Sequence, residues 1–407
     1  MLLTDLAPPS LGCASRLTAS PVRVCFMIDR LGRAGTESQL LALIRGLDRR
    51  RVRPSLVLLD GTDAESRALE PADCPILRLG VTRLTSRSAL RAASRLAGFW
   101  GEHKPDVLQV YFLDSAYFGV PLARWCGVRK VVRVRNNLGY WLTRKHGVLN
   151  RVVSRLADVT LTNSDAGRDA LVAAEGLRAD RVAVLENGVD LERFAKTTPL
   201  PGPLPEAERG RKSDSGSPLC LGEGFLRSTI RIGCVANLRP VKNIDGFLRA
   251  AKLVADRFPH VRFEVAGGGP DRAALESLRA ELGLADRFTF RGSVSDVPEF
   301  LRELDIAVLP SHSEGMSNAV LEYMAAGKAI VATDVGANAN LLGDGQYGRL
   351  VPAGDTSALA VAIGELVADP DAVRTLGQAA RARVEAEFSR AAMVRRFEQF
   401  YGKLTGK

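Results

Sequence analysis

Val22-Arg23-Val24-Cys25-Phe26-Met27-Ile28, then a helical stretch from Glu37 to Leu47, then Ser55-Leu56-Val57-Leu58-Leu59 is the passage whose reading decides the fold. The two apolar runs are nearly continuous rather than alternating, so they read as strands buried on both faces, with a helix between them. The same rhythm predicts strands at Val107–Tyr111, Val131–Val134, Val159–Thr162 and Val182–Leu185, with helical segments between most of them. Buried strands separated by helices imply a parallel sheet covered on both faces. Residues 22–195 therefore predict one doubly wound, Rossmann-like α/β domain, preceded by a flexible tail over 1–21.

From residue 196 to 228 the rhythm stops. Pro199, Pro201, Gly202, Pro203 and Pro205 precede the polar run Glu208 to Ser217, and no apolar period survives, which predicts a disordered insertion or linker. The alternation restarts with strand Ile230–Val235, helix Ile244–Arg257, strand Arg262–Ala266, helix Asp271–Leu282 and strand Phe288–Phe290. Helix Val297–Glu303, strand Ile306–Leu309, helix Asn318–Ala326 and strand Ala329–Ala332 continue it, giving a second Rossmann-like domain over 229–388. Residues 389–407 form a terminal amphipathic helix and tail (Met393, Phe397, Phe400, Tyr401) whose packing partner the pattern leaves open. Open α/β sheets bind ligands at the carboxyl ends of their strands. Two such domains thus predict one shared site in an interdomain cleft.

The 407 residues carry 46% hydrophobic and 25% charged side chains, ordinary values for a globular protein. No run approaches the ~18 apolar residues needed to cross a bilayer, and the amino terminus lacks the basic start and apolar core of a secretory signal. The expectation is a cytoplasmic protein. Six scattered cysteines without a C-x-x-C pair read as reduced structural thiols, and no metal site is expected. The net charge of +10 is uneven: residues 1–195 hold 29 basic against 20 acidic residues, the remainder 27 against 26. The arginines of the first half (Arg49, Arg50, Arg51, Arg53, Arg83, Arg87, Arg91, Arg95) have few aromatics between them and form no nucleic-acid module. An anionic membrane surface is the favoured partner and nucleic acid is not expected, with a merely solvated basic face as the competing explanation.

The chemistry concentrates after strand Ile306–Leu309. The loop Ser311 to Ser317 feeds a helix capped by Ser317 or Asn318 and stopped at Gly327. Free backbone N–H groups and the helix dipole at such a terminus favour a phosphate, and Gly315 permits close approach. Glu322, about one turn inside the helix, is too near a bound phosphate to welcome a second anion and suits ribose hydroxyls. Glu314 on the loop faces the cleft, ready for further hydroxyls or a developing positive charge. Arg239 and Lys242, in the turn after strand Ile230–Val235, would meet a leaving diphosphate. Taken singly, a helical Glu or a basic turn is more often just solvated.

Together these pieces resemble a family. The string Leu309 to Lys328, followed by Ile330-Val331-Ala332-Thr333, is similar to the E-x7-E signature of the retaining GT-B glycosyltransferases of family 4. Four other pieces occur in the matching order: Gly32-Arg33-Ala34-Gly35-Thr36-Glu37, Asn187-Gly188-Val189-Asp190 with Phe194, the Arg239 to Lys242 turn, and Gly267-Gly268-Gly269-Pro270. The resemblance spans residue 22 to about residue 401 apart from 196–228.

It implies a GT-B fold and transfer of a hexosyl group, with retention and without a metal, from a nucleotide diphosphate sugar to a saccharide or lipid-linked acceptor. The donor is a substrate and no cofactor is implied. Glu314, Arg239 and Lys242 would be catalytic. Glu322, Gly315, Met316, Ser317, Asn318 and, across the cleft, Gly35 would bind the donor. Family habit places such enzymes in polysaccharide or glycoconjugate assembly, peripheral at the inner membrane face. The chain departs from the pattern where members commonly carry an Arg, at Asn237, and where many carry a His, at Arg133-Val134-Arg135-Asn136-Asn137. Arg239 is the expected stand-in for the first, and Arg135, Asn136 and Trp141 are the acceptor-side candidates. Base recognition is expected near Gly292 and Ser293. Asp369-Pro370-Asp371 reads as a helix cap, not a metal site. A nucleotide-sugar epimerase or hydrolase on the same fold is the alternative enzyme, and a non-catalytic nucleotide-binding module is the alternative from another class. A dehydrogenase is disfavoured because no G-x-G-x-x-G with its acidic partner is complete.

Overall fold

The computed structural model describes residues 20–32, 34–136, 144–195 and 229–407. The first block runs β1 (Val22–Ile28), α1 (Gly35–Gly46), β2 (Val52–Leu58), α2 (Ala64–Leu69), β3 (Ile76–Arg78), α3 (Arg87–His103), β4 (Val107–Val110), α4 (Leu113–Trp125), β5 (Lys130–Val134), α5 (Arg144–Leu156), β6 (Val159–Thr162), α6 (Asp165–Glu175) and β7 (Val182–Val184). The second runs β8 (Ile230–Val235), α7 (Ile244–Arg257), β9 (Val261–Ala266), α8 (Arg272–Glu281), β10 (Phe288–Gly292), α9 (Val297–Glu303), β11 (Ile306–Leu309), α10 (Asn318–Ala325), β12 (Ala329–Thr333), α11 (Asn338–Leu341), β13 (Arg349–Val351), α12 (Thr356–Ala368), α13 (Pro370–Glu387) and α14 (Arg390–Thr405).

Two sheets result, ordered β3-β2-β1-β4-β5-β6-β7 and β10-β9-β8-β11-β12-β13, and every recorded pairing is parallel. The strand order reverses between β1 and β4 in the first sheet and between β8 and β11 in the second. Loops leaving those strands open a crevice, which is where such sheets bind ligands. The central strands are the near-continuous apolar runs of the sequence, while β3 and β13 are three-residue edge strands that are only partly buried. Too short to show a period, these two escape sequence reading.

The first sheet buries Cys25, Met27, Val57, Leu108 and Val131 against α3, α4 and α5 on one face. On the other face Val24, Phe26, Ile28 and Val132 meet α1 and α14. The terminal helix begins where expected, with Ser389 as its cap, runs to Thr405 and covers the first sheet, which supplies the packing partner the pattern left open. Tyr401 is fully buried there, donating from its hydroxyl to Gln109 Oε1 at 2.8 Å, with its ring edge-on to Phe26. The chain passes back beside its own exit from the first block, where Val189 N donates to Phe388 O (2.8 Å) and Arg390 N to Val189 O (3.0 Å). Asp369 caps α13 by accepting from Ala372 N at 2.9 Å, the role its sequence suggests.

Candidate active site

The donor loop is built by β11, whose last residue Leu309 leads through Pro310 into α10. Ser317 caps that helix, its Oγ accepting from Val320 N at 3.4 Å, and Gly327 ends it with a positive φ of 65°. Thr333 Oγ1 donates to Ser311 O (2.7 Å) and Ala337 N to Gly315 O (2.8 Å), so β12 and the turn after it hold the loop from behind. The turn after β8 is tied to the same loop: His312 N donates to Val241 O (2.8 Å) and Asn243 Nδ2 to Pro310 O (3.0 Å). These ties bring Lys242 Nζ to 2.6 Å from Glu314 Oε1, which also accepts from Ser311 Oγ at 2.7 Å. A cation and a carboxylate from the two strands flanking the crevice thus meet at its mouth. Arg239 and Asn237 lie in the same turn but are exposed, and no ion pair is recorded for Arg239 among the described residues. The expected second cation is present without being drawn to Glu314.

Glu322 sits on α10, partly buried, and burial pushes its carboxyl up to about 7 against the opposing pull of Arg193 and Arg390. Met316 is buried, with its sulfur 3.2 Å from the backbone N of Asn187.

The opposite wall belongs to the first sheet. Gly35 opens α1 against the start of α10, where a Cβ would stand 2.7 Å from Asn318 Nδ2. Gly315 approaches as closely: a Cβ there would meet the Asn136 carbonyl at 2.3 Å and Asn163 Oδ1 at 3.0 Å. At Gly315 the clash would be with backbone, so only glycine admits that approach, whereas a side chain at Gly35 would have to displace the Asn318 amide. The structure therefore brings Glu314, Lys242, Gly315, Met316, Ser317, Asn318, Gly35 and Asn136 together.

Arg135 is tied into the interior of the first domain. Its guanidinium is buried against Glu175 Oε1 at 2.8 Å, and Arg133 holds the other oxygen of that carboxylate at 2.7 Å. Arg133 also donates to Asn150 Oδ1 (2.7 Å) and to Ser154 Oγ. Burial alone would raise Glu175, but Arg133, Ser154 and Arg135 outweigh it and hold the carboxyl below its usual range. The two arginines brace β5 to α5 and α6, a network the sequence conceals because Glu175 lies 40 residues from Arg135. Trp141 lies outside the described residues. Gln39, Asn163 and Ser311 join the site without having been singled out; the one legible sign was Gln39's place four residues after Gly35, on the same helical face.

Two parallel sheets with their crevices turned to one another, and a helix amino terminus between them, define a GT-B glycosyltransferase fold. The chain belongs to the group 1 glycosyl transferases: that family's model, "Glycosyl transferases group 1", matches residues 229–369, and the "Glycosyl transferase 4-like domain" model matches residues 34–188. It is 29% identical over 243 residues to the "Putative glycosyltransferase EpsD" of Bacillus subtilis (strain 168), a stretch covering 60% of this chain and 59% of EpsD. It is 28% identical over 302 residues to the GDP-mannose-dependent α-(1-6)-phosphatidylinositol monomannoside mannosyltransferase of Mycolicibacterium smegmatis (strain ATCC 700084 / mc(2)155), covering 71% of this chain and 74% of that one. Among solved structures, Anabaena Alr3699/HepE in complex with UDP and glucose superposes with a TM-score of 0.76 at 19% identity, over 94% of this chain and 100% of that one.

Proposed function

We propose that this chain moves a hexosyl group, with retention at the anomeric carbon, from a nucleotide diphosphate sugar to a saccharide or lipid-linked acceptor in glycoconjugate assembly. The observation that carries the reading is the Lys242–Glu314 pair at the mouth of the crevice, beside a helix amino terminus that Gly35 approaches from the other wall. Backbone N–H groups of Gly315 to Asn318 and the Lys242 ammonium would hold the diphosphate, and Glu322 would accept from the ribose diol. As the glycosidic bond lengthens, negative charge grows on the diphosphate and positive charge on the sugar ring. Lys242 with the helix terminus meets the first and Glu314 the second, which is where transition-state stabilisation is gained. The departing phosphate oxygen takes the acceptor proton on the same face, so the chain need supply neither a nucleophile nor a metal. Arg239 stands ready as a second cation once a diphosphate draws it in.

Incubation of UDP-, GDP- and ADP-hexoses with and without acceptor saccharides tests this. Acceptor-dependent transfer that keeps the donor's anomeric configuration is expected. Stoichiometric conversion to an isomer or free sugar without acceptor would replace it with the epimerase or hydrolase reading.

The membrane reading has its own support in α5. Among the described residues, no helix is long and apolar enough to cross a membrane. Yet α5 is partly inverted: beside the buried Val153 it turns Asn150 and Ser154 inward onto Arg133 while exposing Val148 (60%), Leu149 (49%) and Val152 (48%) next to the exposed Arg151 and Arg155. Aliphatic side chains flanked by arginines fit the headgroup boundary of an anionic bilayer. A lipid-linked acceptor would lie in the same layer.

A further inference from the structure

Asn318, the first residue of α10, is gripped from the opposite wall. Gln39 Nε2 (3.0 Å) and Asn187 Nδ2 (2.9 Å) both donate to its side-chain oxygen. Gln39 is itself oriented by the backbone of Gly188, since its Nε2 donates to Gly188 O at 2.9 Å and its Oε1 accepts from Gly188 N at 3.1 Å. One residue's backbone offers one N–H and one C=O, so it reads which end of an amide is oxygen, and a flipped Gln39 would set oxygen against oxygen. With Gln39 fixed, Asn318 must turn its oxygen to Gln39 and Asn187, leaving its Nδ2 directed at Gly35, 2.7 Å from where a Cβ would stand. No hydrogen bond from that Nδ2 is recorded among the described residues.

We propose that Gln39 and Asn187 are positioning residues that hold Asn318 so that its Nδ2 donates a hydrogen bond to the diphosphate of the donor. This deepens the donor-site reading above and rests on it. The grip joins helix α1, the chain exit at Asn187-Gly188 and the donor helix α10, so it forms only when the two walls are together. Closing the cleft and aiming the amide are then one event. Gly35 belongs to the same device, because any side chain there would fill the space into which Asn318 points.

Gln39→Glu is the informative variant: it keeps the shape and still accepts from Gly188 N, but can donate neither to Asn318 nor to Gly188 O. Calorimetry would compare UDP and GDP with UMP and GMP for wild type, Gln39→Glu, Asn318→Ala and the double variant, with circular dichroism to establish the fold and small-angle scattering to follow closure. Expected are an about tenfold loss of diphosphate affinity in each single variant, little change for the monophosphates, and a double variant no weaker than either single, as two groups acting through one contact require. Wild-type-like UDP and GDP binding in Gln39→Glu, equal losses for mono- and diphosphates, or multiplied losses in the double variant would each overturn the proposal. If wild type binds none of the four, the donor reading falls and takes this proposal with it. Normal wild-type binding with an unaffected Gln39→Glu would sink the proposal alone.

Discussion

Glu322 carries a conflict that its helix does not relieve: burial raises its carboxyl to about 7, whereas the ribose diol proposed for it is best accepted by the ionised form, which has no O–H of its own to place. A carboxyl whose folded value lies above its unfolded one gives stability that is complete below the unfolded value, near 4.3, and is lost as pH rises through about 7. Glu322→Gln should therefore raise the melting temperature at about pH 8 and leave it nearly unchanged at about pH 4, while weakening nucleotide binding. Wild-type nucleotide affinity should climb between about pH 6 and about pH 8, which titration calorimetry at several pH values would show. The Lys242–Glu314 pair behaves differently. Because it is partly exposed, breaking it should cost about 1 kcal/mol of stability or less. Lys242→Ala and Glu314→Ala should each abolish most turnover with melting lowered by at most a few degrees, and near-wild-type turnover in either would remove the site assignment. These residues were legible in the sequence because one short string holds Glu314, Gly315 and Glu322 at fixed spacing on a strand, loop and helix. Arg135 was not, because its partner Glu175 is reached only through the folded sheet, and a solvent-facing arginine and a buried one look alike in a string.

At the scale of the element, β5, α5 and α6 depend on a single carboxylate serving two buried arginines. Removing one member of a buried charge network leaves the others uncompensated, so Glu175→Ala should destabilise the protein by about 3–5 kcal/mol, read by denaturant unfolding. The network also accounts for the inversion of α5. With Asn150 and Ser154 turned inward to Arg133 beside Val153, the aliphatic residues Val148, Leu149 and Val152 are left to face outward. Replacing Val148, Leu149 and Val152 together by serine should reduce sedimentation with phosphatidylserine vesicles at low salt without lowering the melting temperature, and high salt should weaken wild-type binding in the same assay. Unchanged vesicle binding would remove α5 from the membrane reading. The long apolar strands and the helices between them were readable from periodicity. The short edge strands β3 and β13 were not, since three residues beside a sheet edge are held by a neighbour's hydrogen bonds rather than by their own pattern.

At the scale of the molecule, two sheets, each with its crevice where the strand order reverses, present their loops to one another. The double run of buried strands and helices declared that architecture from sequence. The return of α14 onto the first sheet was hidden, because its apolar stripe of Met393, Phe397 and Tyr401 would suit either sheet and only the pocket around Phe26 and Gln109 decides. Everything the chain is proposed to do follows from a nucleotide held by α10 and faced by α1. The direct test is a thermal-shift and calorimetry panel of UDP, GDP and ADP against wild type and Glu322→Ala, a variant whose fold is checked independently. The account predicts saturable binding of at least one nucleoside diphosphate by the wild-type protein and its loss in Glu322→Ala; no binding by the wild type, or binding untouched by the substitution, would contradict it.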